Sequence, residues 1–140
     1  MSLPSHLHLS IVSAERSLVS EQVDEVEIPG AKGYLGVLPG HTPFLALLGA
    51  GELWYRQGNE THYLSIAFGF AEVEPDRVTI LAETAERAAE IDVARAEAAK
   101  RRAEERLAKP AVDIDFERAR VALLKSLIRL QVASRVRIRS

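Results

Sequence analysis

ETAERAAEIDVARAEAAKRRAEERLAK, residues 83–109, is the stretch on which the fold turns. It runs 27 residues without Gly or Pro. Ala, Glu, Lys and Arg dominate it, and these residues lose little freedom in a helix. Asp92 suits an N-cap, and Lys109 followed by Pro110 marks a stop. Upstream, Val and Ile sit in short alternating runs broken by Gly and Pro. A strand-rich half, 1–86, therefore gives way to a helical half, 87–140. Charge changes sign at the same place: residues 1–86 carry 4 basic against 12 acidic side chains, net −8, and residues 87–140 carry 14 against 8, net +6, together the −2 of the whole chain. An acidic body with a basic helical arm can attract its own arm or lend it to a partner.

At 140 residues the chain is one domain, or one domain with an appendage. Its 47% hydrophobic content supplies a core, and 27% charge argues against disorder. The absence of Cys excludes disulfides and thiolate metal sites and suits a reducing compartment. No apolar run approaches the ~20 residues of a membrane span. The opening, MSLPSHLHLSIVSAE, has no basic n-region, so neither a signal peptide nor a transit peptide is expected, and the protein reads as soluble.

Working back toward the N-terminus, residues 6–13 alternate, with Leu7, Leu9 and Ile11 on one face and His6, His8 and Ser10 on the other. Residues 19–28 repeat the period. Pro29 and Gly30 make a turn. Residues 45–48 form an apolar run that is expected to stop at Gly49, Ala50 and Gly51. Two hairpins follow, turning at residues 57–60 and at Pro75 with Asp76. Seven or more strands at this spacing predict an antiparallel sandwich or barrel. Working forward, the first helix offers only a thin stripe of small residues. After a short link, with Asp113 or Asp115 as N-cap, Phe116, Ala119, Leu123, Leu127 and Leu130 recur at helical spacing. A short link between two helices predicts an antiparallel hairpin.

No catalytic constellation is present. His6, His8, His41 and His62 are scattered, and neither HExxH, GxSxG, GxGxxG nor a Walker pattern occurs. His6 and His8, two apart on one strand face, read as surface histidines of an edge strand rather than metal ligands. The basic run at 100–106 is interleaved with acids and lacks aromatic residues, so it reads as a solvated helix face and no nucleic acid is expected. The loop GYLGVLPGHTPF, residues 33–44, is denser in Gly and Pro than a connection needs, and reads as a rigid surface offered to a partner with His41 near its tip.

These segments together resemble the ε subunit of F-type ATP synthases, called δ in mitochondria. The resemblance spans essentially the whole chain. It rests on SIVSAE (10–15), GYLGVLPGHTPF (33–44), AFGFAEVEPDRVTILAETAER (67–87), IDVARAEAAKRRAEERL (91–107) and DIDFERARVALLKSLIRL (113–130). It implies an α+β protein: an N-terminal antiparallel β-sandwich of about ten strands, then a C-terminal antiparallel two-helix hairpin. It further implies a non-catalytic subunit of the central stalk, without metal or required cofactor. The sandwich would bind the γ subunit and the c-ring, and the hairpin would inhibit ATP hydrolysis by reaching the α/β catalytic head. The implied location is the cytoplasmic face of a bacterial inner membrane, held there through the complex. Tyr34, Leu38 and His41 carry over as contacts to γ and the c-ring, with Tyr34 standing where some members have an acid. The signature Ile91, Asp92, Val93, Ala94, Arg95, Ala96 matches that of members binding regulatory ATP. Glu86, Arg102 and Arg129 match too, while Lys125 replaces an arginine, keeping the charge and losing the bidentate fork. Arg118, Arg120, Lys125, Arg129 and Arg135 are the candidates for touching the head, with Arg137 and Arg139 completing a basic tail. A different class remains beside this one: a sensor whose hairpin responds to nucleotide.

Overall fold

A computed structural model describes residues 3–109 and 115–139. Pro110 and Asp113 lie outside the described residues, as do the side chains of Arg137 and Arg139. Seven strands come first: β1 (Leu7–Ser13), β2 (Ser17–Val23), β3 (Glu25–Gly30), β4 (Gly33–Val37), β5 (Phe44–Gln57), β6 (Glu60–Val73) and β7 (Arg77–Arg87). A 3₁₀ turn (Ala88–Glu90) leads to α1 (Val93–Ala108) and α2 (Phe116–Arg139). The chain divides into two compact units, residues 1–87 and 88–140.

The strands form one sheet in the order β2, β1, β7, β6, β5, β3, β4. Alternation puts Leu7, Leu9 and Ile11 inward from β1, where they meet Val26, Ile28, Leu53, Leu64, Ile66 and Ile80 in a single core. Three long strands cross a crease. In β5 the residues that join the core are Leu48 before it and Leu53 and Tyr55 beyond it; in β6 they are Leu64 and Ile66, then Ala71 and Val73. The inward parity switches in both, although the pairs Leu48↔Gly69 and Ala50↔Ala67 keep one register. Period-2 geometry forbids such a switch without an irregular residue. Phe68 and Gly69 supply it, with φ of 61° and 115°. The sheet thus becomes a sandwich by bending, and the three long strands serve both layers. Seven continuous strands therefore stand where about ten were expected, within the same α+β class.

Three local expectations are corrected. Gly49, Ala50 and Gly51 do not end a strand, because β5 pairs with β6 straight through them. Arg87 ends a strand and does not open the helical half, because pairing with β6 carries β7 through the helix formers at 83–87. β1 is not an edge: it lies between β2 and β7, and its pairing with β7 is parallel within an otherwise antiparallel sheet. His6 and His8 go separate ways there. His8 Nε2 is 3.3 Å from Ser20 Oγ, and His6 Nε2 is 3.7 Å from Asp24. Among the described residues no group of three or more His, Cys, Asp or Glu could hold a metal ion, and no helix is long and apolar enough to cross a membrane.

Candidate functional site

The sandwich carries two exposed features, and the first is a row of apolar side chains. Cross-strand register sets Leu47 opposite Phe70, and Phe70 opposite Leu81. These three are 60%, 50% and 53% exposed, on the outward face of three neighbouring strands. Parallel pairing extends the row to Val12 on β1. Leu45, also exposed, stands two residues along β5. An antiparallel sheet normally keeps its outer face polar, and contiguous exposed apolar rows mark interaction surfaces. Beside the row, a groove of about 510 Å³ runs between the β3–β4 hairpin and the start of β5, lined by Lys32, Tyr34, Leu35, Phe44, Leu45 and Leu47 among others.

The second feature is the segment from β4 to β5. Tyr34 is exposed, yet its hydroxyl accepts a hydrogen bond from the Glu52 backbone N–H (3.3 Å). The approach requires glycine at position 51, where a Cβ would lie 2.8 Å from the Tyr34 hydroxyl and 2.6 Å from Pro29 Cβ. Leu38 is exposed at the far end of β4, about 13 Å from Tyr34 at strand rise. His41 closes the turn: its N–H donates to the Leu38 carbonyl (3.1 Å), its Nδ1–H to the Thr42 carbonyl (2.8 Å), and its ring packs on Phe44 at 5.2 Å. The Gly40 N–H donates to the Pro75 carbonyl (2.7 Å), tying this loop to the β6–β7 turn. Leu38 and His41 therefore share one rigid loop, while Tyr34 belongs to the groove.

The helical unit presents a different chemistry. Both helices are capped by aspartates: Asp92 Oδ1 accepts from the Arg95 N–H and Asp115 Oδ1 from the Arg118 N–H, each at 3.1 Å. α2 also buries Ile128 and Val132 on a second face, and the seam between the helices is assigned to the small buried residues, Ala96 and Ala103 on α1 with Ala119, Ser126 and Ala133 on α2. They recur every seven positions on each helix. Arg95, Arg102, Arg118 and Lys125 each immediately precede one of them, so each lies about 100° round its helix from the seam. In an antiparallel pair these equal offsets fall on the same side, and Arg129, three residues after Ser126, falls there too. Glu97 and Glu104 each follow a seam residue and take the opposite side. One side of the hairpin is thus basic. Ile91 is buried beside the cap.

The remaining predicted residues separate. Glu86 belongs to β7 in the sandwich unit, opposite Ser65, which in turn faces the buried Glu52. Arg120 lies on the other side of α2 and pairs with Glu117 at 2.6 Å. That hydrogen bond holds the Glu117 carboxyl below its ordinary pKa and raises the Arg120 guanidinium. Arg135 stands apart from the 118, 125 and 129 face by helical angle. The five basic candidates on α2 therefore form no single patch.

Known proteins resemble the chain along its length. Residues 6–88 match the family described as ATP synthase, Delta/Epsilon chain, beta-sandwich domain, and residues 89–134 match ATP synthase, Delta/Epsilon chain, long alpha-helix domain. The ATP synthase epsilon chain of Syntrophobacter fumaroxidans is 50% identical over 129 residues, covering 92% of this chain and 96% of that one. The epsilon chain of Solibacter usitatus is 46% identical over 133 residues, covering 95% and 99%. Among solved structures, a chain of the Euglena gracilis mitochondrial ATP synthase (OSCP/F1/c-ring) superposes with a TM-score of 0.71 at 22% identity, covering 99% of this chain and 84% of that one. A chain of the Tetrahymena thermophila mitochondrial ATP synthase central stalk and c-ring gives 0.57 at 12%, covering 96% and 98%. At those identities the structural likeness speaks for the fold.

Proposed function

The chain belongs to the ATP synthase delta/epsilon family, and from that premise we propose that it is a non-catalytic rotor subunit whose two units do different work. The sandwich couples the γ subunit to the c-ring as ion flow turns it. The hairpin restrains ATP hydrolysis by engaging the α/β catalytic head. The carrying observation is the outward row of Leu47, Phe70 and Leu81. A rotor subunit must be gripped along a rigid face, and a three-strand apolar row is such a face. We assign it to γ. The loop bearing Leu38 and His41, with Tyr34 at the groove, then serves the γ and c-ring contacts. Membrane attachment comes through the complex. The test is co-purification: the chain is expected to enter a stoichiometric complex with its γ subunit, and failure to bind γ would contradict the reading.

A second reading is favoured by one observation. Arg95, Arg102, Lys125 and Arg129 lie on the same side of the hairpin, a fitting cradle for a triphosphate. ATP held there would stabilise the compact hairpin and relieve inhibition by linkage. Titration calorimetry separates the readings. Arg95→Ala with Arg129→Ala is expected to weaken ATP binding at least about tenfold. Glu104→Ala, exposed on the opposite side of the hairpin, is the control for folding. A wild-type chain that takes up no ATP, or a double variant with unchanged affinity, removes the nucleotide reading and leaves the rotor reading standing.

A further inference from the structure

Residues 82–87, AETAER, are composed largely of helix formers and lead into a sequence that is helical, yet they end a strand. Composition alone favours unzipping this end of β7. Arg87 is the last residue of the sandwich unit, and Ala88 begins the other. Its backbone pairs with Leu64 on β6, and its Nη2 donates to the Leu18 carbonyl on β2. Its side chain also hydrogen-bonds Tyr55 on β5, which is 1% exposed. Burial pushes the Tyr55 pKa up and Glu21 adds to this, while Arg87 partly offsets both. The Tyr55 ring stacks on His62 of β6, with centroids 4.9 Å apart. Gln57 Nε2 donates to Glu21 Oε2 (2.9 Å) and to the Gln22 carbonyl (3.0 Å), binding β5 to β2 at the same end. The Arg87 side chain thus ties β7 to β2 and β5, while its backbone pairs with β6.

We propose that Arg87 is a positioning residue that fixes where the sheet stops and the helical arm begins, holding the helix-prone end of β7 in the strand state. Arg suits the task because its fork spans two acceptors on different strands at once. Losing it would free residues at the end of β7 and lengthen the arm's tether by about 3.3 Å for each one.

The test is hydrogen exchange on the full-length chain. Arg87→Ala is expected to accelerate exchange of the 83–87 amides about 10- to 100-fold, with the Leu9 and Ile11 amides of β1 unchanged. Tyr55→Phe, which removes one partner and keeps the ring, is expected to give a smaller rise in the same segment. Arg87→Lys should restore part of the protection. A Glu-specific protease provides a readout that separates local from general loosening: in Arg87→Ala cleavage should spread from Glu90 inward to Glu86 and Glu83 while Glu52 and Glu72 stay uncut. Unchanged protection at 83–87, or an equal loss in every strand, would overturn the proposal.

Discussion

Phe70→Asp with Leu47→Asp is expected to abolish binding to the γ subunit, weakening it by at least about 100-fold. Both side chains point outward from the sheet and face each other across β5 and β6. In the free protein their replacement removes little buried area, so the isolated variant should unfold within about 1 kcal/mol of wild type. In the complex the same positions would sit in a dry contact, where an unpaired carboxylate costs several kcal/mol. The separation of the two effects is the signature. Surface plasmon resonance on immobilised γ, paired with urea unfolding, measures both. A variant that binds γ normally would move the interface off this row. One that loses binding and stability together would make the row structural.

Gly69→Ala is expected to cost about 3–5 kcal/mol of stability, the largest effect of any single methyl group in the sandwich. Gly69 has φ of 115°, and a Cβ there would lie 1.9 Å from the Leu81 carbonyl oxygen and 3.0 Å from Ala82 Cα. Backbone cannot swing aside as a side chain can. The neighbouring strand must move, and with it the crease that turns one sheet into two layers. Gly36→Ala is the control: a Cβ there meets nothing within 4 Å, and φ is not in the left-handed region. Its cost should be near zero. Chemical denaturation of the two variants compares them directly, and equal stabilities would mean that the crease does not depend on Gly69.

Much of the architecture was legible because its causes are local. Alternation placed Leu7, Leu9 and Ile11 inward, and Asp92 capped the helix it was expected to cap. The losses were long-range. The parallel pairing of β1 with β7 joins segments some seventy residues apart, so nothing near His6 and His8 reveals that β1 is internal. The Gly, Ala, Gly sequence at 49–51 looks like a turn, yet Gly51 is there to admit Tyr34 and the strand continues.

The site was partly legible too. Residues 45–48 are apolar on both faces of a strand, which is the signal for a covered outer surface. Phe70 and Leu81 join that surface only through register, which no single segment carries. In the hairpin the sign of the basic side was written as Arg, Ala, Glu at 95–97 and again at 102–104. Each buried alanine there has a cation before it and an acid after it. Reading it required knowing which alanine faces the partner helix, and that came from burial.

The division of labour between the two units is tested most directly by ATP hydrolysis in a catalytic head, γ included, that has been stripped of this subunit. The full chain is added to one sample and residues 1–87 alone to another. Both should bind, the full chain should slow hydrolysis, and the sandwich alone should leave the rate unchanged. Equal inhibition by the two would place the brake in the sandwich, and binding without inhibition by the full chain would show that the hairpin is no brake; either result would rule out this division between the units.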